Sequence, residues 1–360
     1  MEVPFIAYLD DKQKEGEQLT SLKNTQTGMP ANILAILLLA ATLPVFLNGQ
    51  VKEKWYKGNT HSHTIHSDGD STPAVVVNWY KEHGYNFLVL SDHNYLTPVD
   101  GLNSVYGAQE KFLLIPGEEV SDQFNKTPIH VNGLNIRKLV PPQHGTSILD
   151  TIQNNVDAIR QVEGVPHINH PNMSWALTAS HIRMVKNNKL FEIYNGYPHV
   201  HNHGGGGKPS LEQMWDDILT HGQLIYGIAV DDAHDFKGEF SSQRSNPGRG
   251  WVMVRAAELS SSAILEAMEK GNFYASTGVT LTEYEVNEKK IKIEIQKEPL
   301  TGWPSYKFTT YFIGAGGRVL TTVHGPSPSY QFTGKEKYVR ARVVNSAGYV
   351  AWTQPVFIDK

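Results

Sequence analysis

Between residues 55 and 278, short runs of β-forming residues alternate with stretches whose apolar positions recur every three or four residues. The β-rich runs fall at 55–61, 86–91, 112–116, 129–136, 165–169, 190–194 and 224–230, and they predict seven strands. Helical periodicity falls at 73–82, 147–163, 210–220 and 260–270, where Pro or Ser opens a stretch and Gly closes it. A repeated strand-then-helix order predicts parallel strands joined by crossovers. Seven such strands suit a closed (β/α) barrel better than an open sheet. After Gly278 the texture changes to alternating β-formers at 284–295, 306–313, 318–323 and 338–344, with Gly and Pro between them. That pattern predicts a small antiparallel β module over 281–360.

The first 50 residues read differently. Residues 1–28 are polar and mixed in charge, which predicts disorder. An uncharged, mostly apolar run follows at 33–47, too short for a comfortable membrane span and matched to the apolar region of a secretory signal. The expected organisation is a leader at 1–50, a catalytic α/β domain at 51–280 and the β module. Export follows, with a mature chain beginning near Gln50 and no stable membrane span after processing; the alternative is a membrane anchor at 33–47.

Composition narrows the chemistry. The chain has 360 residues, 16 of them histidine, and no cysteine. Without thiols there is no disulfide framework, thiolate zinc site, iron–sulfur centre or cysteine nucleophile, so any metal must be held by imidazole and carboxylate. A formal net charge of −4 argues against nucleic acid as the partner, because phosphate-backbone binding calls for a basic excess. The Gly204–Gly207 run lacks a following Lys-Ser or Lys-Thr and is a flexible loop, not a phosphate-binding P-loop.

Polar residues collect where the predicted strands end. His61 and His63 follow the first strand, Asp92 and His93 the second, Glu118 and Glu119 the third, His170 the fifth, Glu192 and Asn195 the sixth, and Asp232 and His234 the seventh. Only His130 opens its strand. In a parallel barrel all strand C-termini share one face, so these residues would converge. Metal supplies a reason for convergence: with Asp68, a carboxylate from the Glu118/Glu119 pair and His130, the set suits two or three ions.

The ordered segments HSHTIHSDG (61–69), FLVLSDHN (87–94), IPGEEV (115–120), HVNGL (130–134), INHPN (168–172), FEIYNG (191–196) and VDDAHD (230–235) resemble the motifs of the PHP family of metal-dependent phosphoesterases. WVMV (251–254), GNFYASTG (271–278) and AWTQPVF (351–357) resemble its secreted branch, similar to the carbaryl-hydrolase group. The resemblance implies a distorted seven-stranded (β/α) barrel with two or three divalent ions, zinc, manganese or iron, in its mouth. It implies that His61, His63, Glu119 and Asp232 hold one ion. Glu119 would bridge to a second ion at His130 and His170, and Asp68, His93 and His234 would hold a third. Asp68 stands where many relatives have histidine, and the doubled glutamate leaves the bridging residue open by one position.

The expected reaction is hydrolysis of a small-molecule phosphate ester by a metal-bridging hydroxide. Asp232 and His234 are expected at the reacting centre, with His199, Lys208 and Arg249 in loops after barrel strands to bind phosphate oxygens or protonate the leaving group. His199, His201 and His203 beside the glycines suggest a substrate loop. Two rivals stand beside this reading. One is a metal-dependent hydrolase of carboxyl esters, amides or carbamates, because the ligands do not specify the electrophile. The other is a non-catalytic protein that binds glycans or other ligands on the same barrel.

Overall fold

Strand β3 (Leu113–Phe124) sets the frame, because it carries the acidic pair and turns straight back into β4 (Thr127–Leu134). Asn125 and Lys126 link them with φ of 48° and 70°, the left-handed pair that a two-residue hairpin needs. The computed structural model describes residues 52–107, 111–297 and 306–358. All seven expected strands of the α/β region form: β1 (Lys54–Asn59), β2 (Phe87–Leu90), β3, β4, β5 (Val165–Ile168), β6 (Leu190–Asn195) and β7 (Tyr226–Val230). Their pairing corrects the all-parallel expectation. β1, β2 and β3 are parallel, as are β5, β6 and β7, but β4 runs antiparallel to both its neighbours because the hairpin reverses it.

The helices follow their sequence punctuation. α1 (Pro73–Glu82) starts on a proline whose missing N–H costs nothing in a first turn. α2 (Asp100–Tyr106) and α4 (Ala179–Met184) are short and carried no clear period. In α3 (Ile148–Gln161) the Ser147 hydroxyl accepts from the Asp150 amide, and Ile152, Val156 and Ile159 turn inward. α5 (Leu211–Thr220) opens with a Ser210–Gln213 capping box, and α6 (Ser261–Glu269) is capped by Ser260. Between β1 and β2 the approach is so close that a Cβ on Gly58 would stand 2.1 Å from the Phe87 ring.

The barrel expected as a separate seven-stranded body is instead part of a mixed sheet of 14 strands. Two strands without clear sequence signals carry it onward: β8 (Trp251–Ala256) pairs antiparallel with β1, and β9 (Phe273–Ser276) with β8. The later strands join through β9: β12 (Phe308–Gly314), β13 (Arg318–His324), β15 (Tyr338–Asn345), β16 (Val350–Thr353) and β17 (Val356–Phe357). The run expected at 284–295 is a hairpin, β10 (Leu281–Val286) and β11 (Lys290–Ile295), which with β14 (Ser329–Gln331) makes a separate three-stranded sheet. At the other end of the large sheet, the segment after β7 returns to that after β1. Ser62 and Ala233 form a parallel bridge, flanked by Asp232 N donating to His61 O at 3.1 Å and His63 N to Ala233 O at 2.9 Å.

Val51–Lys360 is one compact unit, and a buried ion pair ties its late strands to α5. Arg340 on β15 donates from Nε and Nη2 to the two oxygens of Asp216 at 2.8 and 2.7 Å, and Tyr338 donates to the same carboxylate at 2.8 Å. The guanidinium also lies 4.8 Å from the Trp215 ring. No described helix is long and apolar enough to cross a membrane, and the apolar run 33–47 lies outside the described residues. Removing one partner of such a pair strands the other charge away from water. Asp216→Ala is therefore expected to lower unfolding free energy by about 3–5 kcal/mol, read from urea denaturation.

Candidate metal centre

Side chains alternate along a strand, so only one of Glu118 and Glu119 can face the histidines. That residue is Glu119. Glu118 turns the other way and accepts the Val140 amide at 2.6 Å, and burial pushes its carboxyl up to about 7 despite that amide.

Four buried atoms meet beside it: His61 Nε2, His63 Nε2, Glu119 Oε2 and Asp232 Oδ1. His61 Nε2 lies 3.1 Å from His63 Nε2, 3.3 Å from Glu119 Oε2 and 3.2 Å from Asp232 Oδ1. His63 Nε2 lies 3.4 and 3.1 Å from the same two oxygens. Glu119 Oε2 accepts no hydrogen bond among the described residues. Donors bound at about 2.0–2.1 Å to one cation stand about 3.3–3.4 Å apart in a tetrahedron and about 2.9 Å apart in an octahedron. The observed spacings fall in that window. His61, His63 and Asp232 form one group whose donors could hold a divalent ion, and Glu119 joins His61 and His170 in another.

Glu119 meets two further histidines through its other oxygen, His170 in a group with His61 and His130 in a group with His93. Oε1 lies 2.9 Å from His130 Nδ1 and 3.1 Å from His170 Nε2, and it accepts from Asn169 Nδ2 at 2.8 Å. His130, expected to open its strand, is the fourth residue of β4 and faces Ser121 across the hairpin; because β4 runs antiparallel, its first half lies beside the ends of the parallel strands. A third group forms the rim. Asp68 Oδ1 is 3.2 Å from His234 Nε2 and 3.6 Å from His63 Nδ1, and Asp68 Oδ2 is 3.6 Å from His93 Nε2. His93 Nδ1 also approaches Glu119 Oε2 at 2.9 Å. All nine residues expected as ligands stand in overlapping groups, with His61, His63, His93 and Glu119 each shared by two of them, but the groups differ from the expected ion sets: Glu119 does not join His61, His63 and Asp232 in one group, and His130 and His170 fall in separate ones.

Burial alone would raise the carboxyls of Glu119 and Asp232. The imidazoles of His93, His61 and His130 around the first, and of His61, His63 and His234 around the second, hold both well below the usual range. Burial, and after it the like charge of His234, push the His63 imidazole down to about 4, which leaves it neutral with a lone pair to offer. Asp232 and His170 carry φ of 51° and 22°, left-handed conformations that non-glycine residues adopt at a cost. His170 is held there by its amide, which donates to Glu192 Oε2 at 2.7 Å.

Glu192 and Asn195 do more than their strand-end positions suggested. Glu192 Oε1 stands 2.7 Å from His61 Nδ1, and Oε2 accepts from Asn195 Nδ2 at 2.8 Å. The same Asn195 amide reaches Asp232 Oδ2 at 3.0 Å. Asp92 accepts from Thr64, Ser67 and Thr97 and so shapes the turn that presents His63. His167 is buried beside Glu192, at 3.9 Å, and joins none of the ligand groups.

The loop residues have other partners. Arg249 donates to the carbonyls of Gly196 and Ser241, which clasps two loops together. Lys208 lies 5.3 Å from the Trp175 ring, which stacks on His201 at 4.4 Å. His199 is exposed, 5.6 Å from the Tyr197 ring, and His199, His201 and His203 form no metal-ligating group among the described residues.

No family model matches the chain, and no curated protein does. Among solved structures, a two-domain protein of Bacteroides vulgatus containing a predicted PHP-like metal-dependent phosphoesterase is 16% identical, with TM-score 0.47, covering 84% of this chain and 96% of that one. An amidohydrolase from Chromobacterium violaceum is 17% identical, with TM-score 0.36, over 52% of this chain and 93% of that one. A lesion-specific endonuclease from Pyrococcus furiosus is 15% identical, with TM-score 0.36, over 61% and 56%. At these values the similarities assign no reaction to the site.

Two substitutions separate the paired glutamates. Glu119→Gln is expected to lose bound metal after reconstitution with zinc or manganese, and Glu118→Gln to keep it, both read by elemental analysis. Glu192→Gln, which loosens the hold on His61 without touching a donor atom, is expected to weaken metal binding about 10–100-fold in a chelator competition.

Proposed function

We propose that this chain is a metal-dependent phosphoesterase with a PHP-type centre, built on a distorted barrel whose mouth is joined by the Ser62–Ala233 bridge. The observation that carries the reading is Glu119 Oε2, buried without a hydrogen bond among the described residues and within 3.4 Å of nitrogens of His61, His63 and His93. Two or three divalent ions, zinc, manganese or iron, would neutralise charge on the attacked group and make water a nucleophile near neutral pH. The chain's own part is to hold the donors in place. Glu192 and Asn195 fix His61, His170 and Asp232, while the β3–β4 hairpin sets His130 beside Glu119.

Paired ions beside Glu119 would suit in-line displacement at phosphorus by clamping both attacking and leaving oxygens, and the resemblance of the motifs to phosphoesterases supports phosphorus as the electrophile. The substrate is a small-molecule phosphate ester. The apolar run 33–47, with its following Asn-Gly-Gln, supports export of the mature chain.

The test is a panel of 4-nitrophenyl phosphate, bis(4-nitrophenyl) phosphate and 4-nitrophenyl acetate, assayed with added manganese or zinc. Phosphate-ester turnover that stops on chelation and returns with metal is expected. Turnover of the acetate without phosphate release would move the reaction to carbon. No turnover of any ester, with ligand binding intact in Asp232→Asn, would support a binding protein. Metal saturation is also expected to raise the melting temperature, because the ions bind the folded state alone.

A further inference from the structure

Tyr197 sits where the ligand groups meet an open cavity. Its ring lies edge-on to His234, with centroids 5.4 Å apart, and it forms part of the wall of a cavity of about 570 Å³ between the loops after β6 and β7. Phe240, Pro198 and Pro247 line the same space. Tyr197 is fixed from behind. Its amide donates to Asn195 Oδ1 at 2.7 Å, and Asn195 and Asn202 clasp each other through Asn195 N to Asn202 Oδ1 at 2.9 Å and Asn202 Nδ2 to Asn195 O at 2.8 Å. One amide side chain therefore sets both Asp232 and Tyr197.

Two polar neighbours of this cavity, Asn195 and Arg249, are already engaged. Asn195 also borders both the ligand groups and the cavity, but its nitrogen serves Glu192 and Asp232 and its oxygen serves the Tyr197 amide. Arg249 is bound to two backbone carbonyls. The Tyr197 hydroxyl takes no protein partner among the described residues. It is a neutral donor beside a centre rich in carboxylates.

We propose that Tyr197 is a catalytic residue, whose phenol hydroxyl donates a hydrogen bond to an oxygen of the bound ester. The proposal rests on the hydrolase reading above. It assigns to Tyr197 the substrate contact that sequence alone gave to His199, Lys208 and Arg249. A fixed donor that meets charge as it grows on that oxygen lowers the barrier without having to reorganise.

The experiment compares wild type with Tyr197→Phe, both reconstituted with manganese or zinc, with metal counted and melting temperature recorded. Each is then titrated with inorganic phosphate by calorimetry and assayed on whichever ester of the panel wild type cleaves. The phenylalanine ring keeps the contact with His234, so metal content and melting temperature are expected to stay unchanged. For the variant, kcat/KM should fall about tenfold or more, and the phosphate Kd should rise about tenfold. Unchanged turnover and phosphate affinity in the variant, with wild type active, would overturn the role of Tyr197 alone. Loss of metal or a lowered melting temperature alongside lost activity would overturn it in favour of a packing role. A wild type that binds metal but neither cleaves an ester nor binds phosphate would overturn the hydrolase reading and this proposal together.

Discussion

The structure turns on a carboxylate buried among imidazoles. Glu119 is fully buried, and both its oxygens face histidine nitrogens brought from four other segments of the chain. A buried anion is tolerable only if positive charge or donors surround it. That requirement explains why strand ends far apart in sequence converge here, and why Asn169 adds a further hydrogen bond to Oε1. The cost appears in the backbone: Asp232 and His170 occupy left-handed conformations, and the bonds from the Asp232 amide to His61 and from the His170 amide to Glu192 keep them there.

Much of this was legible in the chain. Strand signals were strong where apolar runs ended at turn formers, as at Phe87–Leu90 and Leu190–Asn195, and helix starts were announced by Ser147, Ser210 and Pro73. The candidate ligands could be picked out because histidine and carboxylate recur near strand ends, which needs no knowledge of distances. Direction was not legible. Asn125-Lys126 is not a glycine-containing hairpin turn, so nothing local announced that β4 reverses, and the odd position of His130 was the one trace of it.

Contacts between distant segments were the other blind spot. Glu192 and Asn195 look like any polar residues at the end of a strand, and their hydrogen bonds to His61, His170 and Asp232 exist only once the sheet curls. Tyr197 read as one more aromatic in a loop until its ring was seen against His234. The late strands looked like a separate module because their alternation differs from the α/β pattern, yet β12, β13, β15, β16 and β17 extend the large sheet through β9, and β15 reaches back to Asp216. Periodicity reports which face of an element is buried, and says nothing of which partner buries it.

The β3–β4 hairpin acts as a ruler. Ser121 pairs with His130 across it, so the reach from Glu119 to His130 is set by counting residues through a two-residue turn. One residue added or removed there would shift the register and turn His130 to the opposite side of the sheet. Connections that pass through a helix have no such count and can lengthen without moving a donor atom. Among the routes that deliver residues to the centre, this hairpin is the one whose length the chain is least free to vary.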